Sequence, residues 1–500
     1  MAVVATACQP RTRRTPDDTV IMLVEDLPRT ADPRATVSSA DLKLSRLVCP
    51  GLVVMDAPDS EPQLGLAERI ERIDDLTTDV TVRADARFSD GTPVTADDVA
   101  WTFESAIADG SKTWAERFER FERLDDRRVR LHLRQPLATL ISDLDLGIVA
   151  RHGADAAGKF PGGLARCAGP YQVDAITQTE VRLSRNPAYA GPAPAVPKVV
   201  IRVVRDAAAR IVMLVGGSAD VIQNGVRPDL ITDVLARPRL AELRGPSTVL
   251  SYLMFNTRDP VLADVRVRKA LALALDRATI VAKKFSGRAV LATGVLRPGH
   301  WAYRAPAVPL VRDLALAGRL LDAAGYPDPD GPGGAPRLRL VYKTSSDQFR
   351  VAIARVIAAQ LGDLDVEVEV RAFEFGTFFA DVKKGTYQLA SMQTSDITEP
   401  DMYFPYFHSS RIPDVGHPDD TNRWRYANPE VDRLLEAGRR ELDPARRVEL
   451  YAQAQRILDD ELPIVPLWHE DNVAIVNRGL EGYHVLPNAR WSALAQVRKR

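Results

Sequence analysis

The chain has 500 residues, 45% of them apolar and 27% charged, which is ordinary globular usage and enough to bury large cores in two or three lobes. Its 66 basic and 67 acidic residues nearly cancel, so there is no electrostatic footprint for nucleic acid. Only 11 of the basic residues are lysine, and the arginine excess reads as genomic composition. No run of 18 apolar residues occurs, which excludes a membrane-spanning helix.

The first eight residues, Met1-Ala2-Val3-Val4-Ala5-Thr6-Ala7-Cys8, are small and apolar and end in cysteine. They look like the tail of a lipoprotein signal peptide with an imperfect lipobox, its charged region and most of its apolar region missing. Lipidation is expected at Cys8. Residues 1–18 thus read as a signal remnant followed by a tether that carries Pro10 and Pro16.

A buried strand is expected at 19–24, a further apolar run at 47–55 and an alternating strand at 80–83. Asp90-Gly91 supplies a turn after Phe88. Thr95 then starts a helix: its hydroxyl can accept from first-turn amides, and Asp97 and Asp98 suit the positive end of the helix dipole. Val99, Phe103 and Ala106 carry that helix onward. The alternation of Val129, Leu131 and Leu133 with Arg128, Arg130, His132 and Arg134 predicts a strand with one wet face.

Strands are expected at 171–173, 179–184 and 199–204. Helices are expected at 265–275 and 315–324, the second followed by Gly325 in a left-handed cap. Asp328-Pro329-Asp330-Gly331-Pro332-Gly333-Gly334 is the clearest loop. A helix at 348–361 and strands at 366–370 and 387–392 follow. Two later helices begin at Asn428-Pro429 and Asp443-Pro444, each with a capping side chain ahead of proline. Mixed strands and helices throughout predict α/β lobes.

Enzyme chemistry finds no support. The seven histidines are scattered without HExxH or HxH spacing, and CxxC, GxSxG, P-loop and GxGxxG patterns are absent. Asp97-Asp98 and Asp459-Asp460 lie on predicted helices and read as solvated faces. No catalytic residue, metal site or cofactor is expected.

Six segments do form a pattern in order. They are Phe88-Ser89-Asp90-Gly91-Thr92-Pro93-Val94-Thr95-Ala96-Asp97-Asp98-Val99, Gly169-Pro170-Tyr171, Phe255-Asn256-Thr257 with Asp264-Val265-Arg266-Val267-Arg268-Lys269-Ala270-Leu271, Ala323-Ala324-Gly325-Tyr326-Pro327, Asn428-Pro429-Glu430-Val431-Asp432, and Ile464-Val465-Pro466-Leu467-Trp468. Together they resemble family 5 of the bacterial extracellular solute-binding proteins, the oligopeptide, dipeptide and nickel receptors of ABC importers. The pattern is most similar to the oligopeptide-binding members. Each segment also has a plain structural reading as a turn, a cap or an amphipathic helix, and fold alone does not give function.

The resemblance implies an α/β fold of the periplasmic binding protein kind (type II, large cluster C), with two ligand-clasping lobes and an extra inserted lobe. Lobe I is expected at 19–47, 168–257 and 475–500, lobe II at 48–167 and lobe III at 258–474. It implies that Asp396, in Met392-Gln393-Thr394-Ser395-Asp396-Ile397, pairs with the amine of a bound peptide. Gln393, Thr394, Ser395, Ser251, Leu253 and Ser39 are implied as further ligand contacts. The family generally has Trp where Gln393 stands, so the pocket is altered in shape and polarity.

The implied function is capture of a peptide and its delivery to a membrane permease, as a monomeric extracytoplasmic lipoprotein. The alternatives are a receptor of the same fold for a metal chelate, opine or sugar, and a sensory ligand-presenting protein. With Cys8 lipidated, Cys49 and Cys167 remain as a disulfide or as two buried free thiols. The resemblance places them where the chain enters and leaves lobe II, side by side.

Overall fold

The computed structural model describes residues 15–57, 61–328, 330–331, 333–394 and 397–500. The chain forms two compact units. One comprises the described residues through Arg134 with Ile141–Gly245 and Asn472–Arg500, and the other Gln135–Leu140 with Pro246–Asp471.

In the first unit the apolar run Thr19–Val24 is a strand within a seven-stranded sheet, parallel to Lys198–Val203 on one side and to Val221–Gln223 on the other. Val20 and Met22 pack into one core with Leu44, Val199 and Ile201, while Leu23 joins a second with Leu214 and Ile475. Burial on both faces is why the run is apolar without alternation. A separate antiparallel sheet carries Ala67–Arg72, Thr77–Val82, Arg128–Leu133 and Phe118–Arg123 in that order. Val129, Leu131 and Leu133 are its buried positions in the third of these strands.

Thr95 and Asp98 form a reciprocal capping box at the start of the helix Ala96–Ala108. That helix buries Phe103 against Phe118 and Phe121, with ring centroids 5.3 and 5.4 Å apart. Cys49 and Cys167 are joined by a disulfide, their Cα atoms 4.7 Å apart.

The second unit is built on a six-stranded sheet. Its order is Ala289–Leu291, Ile464–Glu470, Ser251–Phe255, Leu389–Gln393, Leu338–Ser345, Val366–Phe373. Asn428 and Asp443 cap the helices Pro429–Arg440 and Pro444–Glu461, with proline at the first helical position of each.

The unit boundaries fall at Gly245/Pro246 and Asp471/Asn472, earlier than the expected lobe boundaries at 257/258 and 474/475. The reason is pairing: Ser251–Phe255 is hydrogen-bonded on both edges, to Leu389–Gln393 and to Ile464–Glu470. Residues 135–140, expected in lobe II, also belong to the second unit, where the Ala138 amide donates to the Arg439 carbonyl at 3.0 Å.

Candidate functional site

The second sheet contains a topological switch. Leu338–Ser345 has parallel neighbours on both sides, Val366–Phe373 and Leu389–Gln393. The chain leaves its carboxyl end through the helix Gln348–Gly362 to one neighbour, then crosses through the helix Phe375–Lys384 to the other. Connections that diverge from the carboxyl end of a parallel strand leave a crevice there, the usual ligand position in open α/β sheets.

A cavity of about 240 Å³ occupies this place. Its floor is made by strand ends, Thr344 and Ser345 from the switch strand and Ser391, Met392 and Gln393 from its neighbour. Arg350 and Ile353 enter from the first turns of one helix, and Phe375 and Phe378 from the first turn of the other. Ser251, Tyr252, Leu467 and Trp468 close it from the antiparallel strands.

The polar side of the cavity is organised by Glu470, which stands just outside the lining. Its Oε1 accepts from Gln393 Nε2 at 2.7 Å, Ser251 Oγ at 3.0 Å, Arg350 Nη1 at 3.1 Å and Trp468 Nε1 at 3.3 Å. Gln393 Nε2 also donates to Ser251 Oγ at 3.1 Å. Strand register explains the convergence. Ser251 is paired with Gln393 on one side and Trp468 on the other, and a bulge between Ser251 and Tyr252 re-aims the side chains. With both amide hydrogens donated inside the cluster, Gln393 has its carbonyl oxygen left for a ligand.

The candidate residues from the sequence therefore separate. Gln393 and Ser251 meet at the cavity. Thr394 adjoins them and is tied to the residue before the neighbouring strand: its Oγ1 accepts from the Leu250 amide and its own amide donates to the Leu250 carbonyl, both at 2.9 Å. Leu253 is buried in the core beside Phe255 and Val465 and does not line the cavity. Ser39 is the exposed first residue of the helix Ser39–Val48, in the first unit, and is not part of this cavity. Ser395, Asp396 and Cys8 lie outside the described residues.

Sequence reasoning missed Glu470, Arg350 and the Phe375–Phe378 pair. The available signal for Glu470 was a carboxylate at the end of the buried run 464–468. For Arg350 it was a cation in the first turn of a helix that follows a strand directly. Among the described residues no group of three or more His, Cys, Asp or Glu side chains is placed to hold a metal ion.

A smaller cavity of about 20 Å³ lies elsewhere in the unit, lined in part by Tyr403, Arg304, Gln455 and Asp459. Burial and the adjacent Asp460 push the Asp459 carboxyl up to about 7, against the opposing charge of Arg304. In the same unit burial pulls His469 down to about 4. A carboxyl with a raised folded-state pKa loses stability as pH climbs from about 4 through 7, whereas a histidine with a lowered one loses it as pH falls from about 6.5 through 4. The two slopes oppose each other. Asp459→Asn is therefore expected to be more stable than the parent at pH 8, by roughly 1–3 kcal/mol, and indistinguishable from it near pH 4. Thermal unfolding at the two pH values checks this, and an equal difference at both would refute the assignment.

Residues 61–413 match the family model for bacterial extracellular solute-binding proteins, family 5 Middle. The chain belongs to this family. It is 26% identical over 499 residues to a protein named probable di/tripeptide-binding protein 5 of Pseudomonas aeruginosa (strain UCBPP-PA14), with 91% of this chain and 90% of that protein covered. It is 27% identical over 481 residues to the glutathione-binding protein GsiB of Salmonella typhimurium (strain LT2), covering 93% and 91%. Its structure matches that of NikA from Brucella suis in complex with Fe(III)-EDTA with a TM-score of 0.87 at 20% identity, over 96% of this chain and 100% of that one.

That structural likeness is one of fold, the α/β fold of the periplasmic binding proteins. Family membership makes the chain an extracytoplasmic solute-binding component of an ABC importer. Among the described residues no helix is long and apolar enough to cross a membrane.

Proposed function

We propose that the solute is a peptide with a free amino terminus, held by Asp396 and handed to the membrane permease by a monomeric receptor anchored through lipidated Cys8. The observation that carries the reading is the cavity at the switch point, whose lining includes Gln393, three residues before Asp396. Support also comes from the relatives, which are named for di/tripeptides and for glutathione. The receptor does not act on nucleic acid and turns nothing over. Its lobes are proposed as an inserted one near 48–167, without residues 135–140, and two others whose limits follow Gly245 and Asp471.

A carboxylate facing an ammonium in a water-poor site forms a charge-assisted hydrogen bond, and a neutral replacement leaves the ligand charge unpaired. Asp396→Asn is expected to weaken binding of a free-amine tripeptide at least tenfold, about 1.4 kcal/mol. It should leave binding of the N-acetylated peptide nearly unchanged. Titration calorimetry of both peptides decides the matter, and equal loss for both would sink the role of Asp396.

A further inference from the structure

We infer that the switch-point cavity is a side-chain pocket that selects an uncharged aromatic or branched aliphatic residue of the ligand; this rests on the peptide reading above. Size comes first. A cavity of about 150 Å³ already accommodates a benzene ring, so about 240 Å³ holds a phenylalanine, leucine or tyrosine side chain and leaves an alanine surrounded by unfilled space. An occupant too small for such a cavity forfeits the dispersion contacts of its walls.

The wall chemistry points the same way. Ile353, Phe378, Met392, Leu467 and Trp468 present apolar surface. Methionine adapts to ring edges and makes favourable sulfur–aromatic contacts. Phe375 is 57% exposed at the lining, stacked on Phe379 with centroids 5.7 Å apart and planes 8° apart. A large aromatic left half in solvent beside a cavity is surface that an entering apolar group would cover.

Charge supplies the discrimination. The guanidinium of Arg350 is paired with Glu470 at 3.1 Å, and among the described residues no other charged side chain lines the cavity. A lysine, aspartate or glutamate side chain of the ligand would have to give up water for an apolar wall and a cation and an anion already matched to each other. The carbonyl oxygen of Gln393 is a hydrogen-bond acceptor, so a tyrosine hydroxyl or a tryptophan N–H remains compatible.

The test is titration calorimetry on the full chain with Ala-Ala-Ala and with tripeptides that place Phe, Leu, Lys or Glu singly at the first or the second position. At one of these positions Phe and Leu are expected to bind at least tenfold tighter than Ala, Lys and Glu. In Phe375→Ala, an exposed site where folding is tolerant, the Phe-to-Ala affinity ratio at that position should fall at least threefold. In Met392→Trp, which fills the cavity, it should collapse toward one. Peptides that all bind alike at both positions would overturn the pocket and leave the peptide reading standing. Failure of every peptide to bind would overturn both. An undiminished side-chain preference in Asp396→Asn, with no loss of affinity for free-amine peptides, would remove the role of Asp396 alone and support the pocket.

Discussion

Arg268→Met is expected to destabilise the second unit by about 3–5 kcal/mol, among the largest effects of any single substitution in the chain. Arg268 is 5% exposed and acts as a clamp rather than a surface charge. Its Nη1 donates to the carbonyls of Leu262 and Ala263, both at 2.8 Å, and its Nε to those of Glu461 at 3.0 Å and Leu462 at 3.1 Å. It thereby ties the loop before its own helix, Val265–Ala274, to the turn that enters the strand Ile464–Glu470.

That turn needs holding. Leu462 sits at φ 44°, a left-handed conformation that costs a residue with a Cβ roughly 1–2 kcal/mol. Methionine matches the volume but leaves four carbonyls, Glu461 among them with a second bond from Nη2 at 2.5 Å, without their arginine donor in a buried setting. Lysine, a point charge without the planar fork, should recover only part of the loss. Urea unfolding followed by fluorescence and by hydrogen exchange at 461–470 measures both variants. Arg268→Met within about 0.5 kcal/mol of the parent would refute the clamp.

Arg268 also shows how much could be read beforehand. The segment Asp264–Leu271 was legible as an amphipathic helix, and its arginine works on backbone carbonyls. Caps were legible because they are local. Thr95, Asn428 and Asp443 each announce a helix by a side chain adjacent to the amides it satisfies. The helix Phe375–Lys384 escaped because its cap is Glu374, a residue type uncommon in that role, accepting from the Gly376 and Thr377 amides.

The cavity was only half legible. Gln393 and Ser251 stood out through the segments they sit in, yet what joins them is Glu470, 77 residues beyond Gln393, brought in by strand pairing that no local pattern encodes. Leu253 lies off the cavity for a related reason: the bulge after Ser251 changes which residues share its face. The unit boundary near 471 has no local signal, because Ile464–Glu470 and Asn472–Asn477 are both apolar strands separated by Asp471 alone, and only their partners reveal that they belong to different sheets.

Replacing both Cys49 and Cys167 by serine is expected to cost about 2–5 kcal/mol, provided the parent is purified from an oxidising compartment. The bridge spans 118 residues of sequence. For a loop of that length the chain-entropy account gives a nominal 4–5 kcal/mol, from about 4.7 at 100 residues, and measured values often fall short. The surrounding backbone favours the upper part of the range, because the two segments are already fitted to each other. The Gly169 amide donates to the Val48 carbonyl at 2.9 Å, and a Cβ at Gly169 would meet that oxygen at 2.4 Å, so only glycine permits the approach. Asn186 Nδ2 donates to the Gly169 carbonyl at 2.8 Å, and Tyr171 Oη donates to the Val196 carbonyl at 2.8 Å. The Gly169-Pro170-Tyr171 landmark is thus the partner surface of the backbone that ends the helix Ser39–Val48, and the sulfur bridge locks a contact that the glycine makes possible. Because native geometry persists without the bridge, the serine variant should fold with unchanged ligand affinity but a lower urea midpoint, and addition of reductant should bring the parent down to match it. Equal midpoints for parent and variant under non-reducing conditions, or two alkylatable thiols in the exported parent, would refute a stabilising disulfide here.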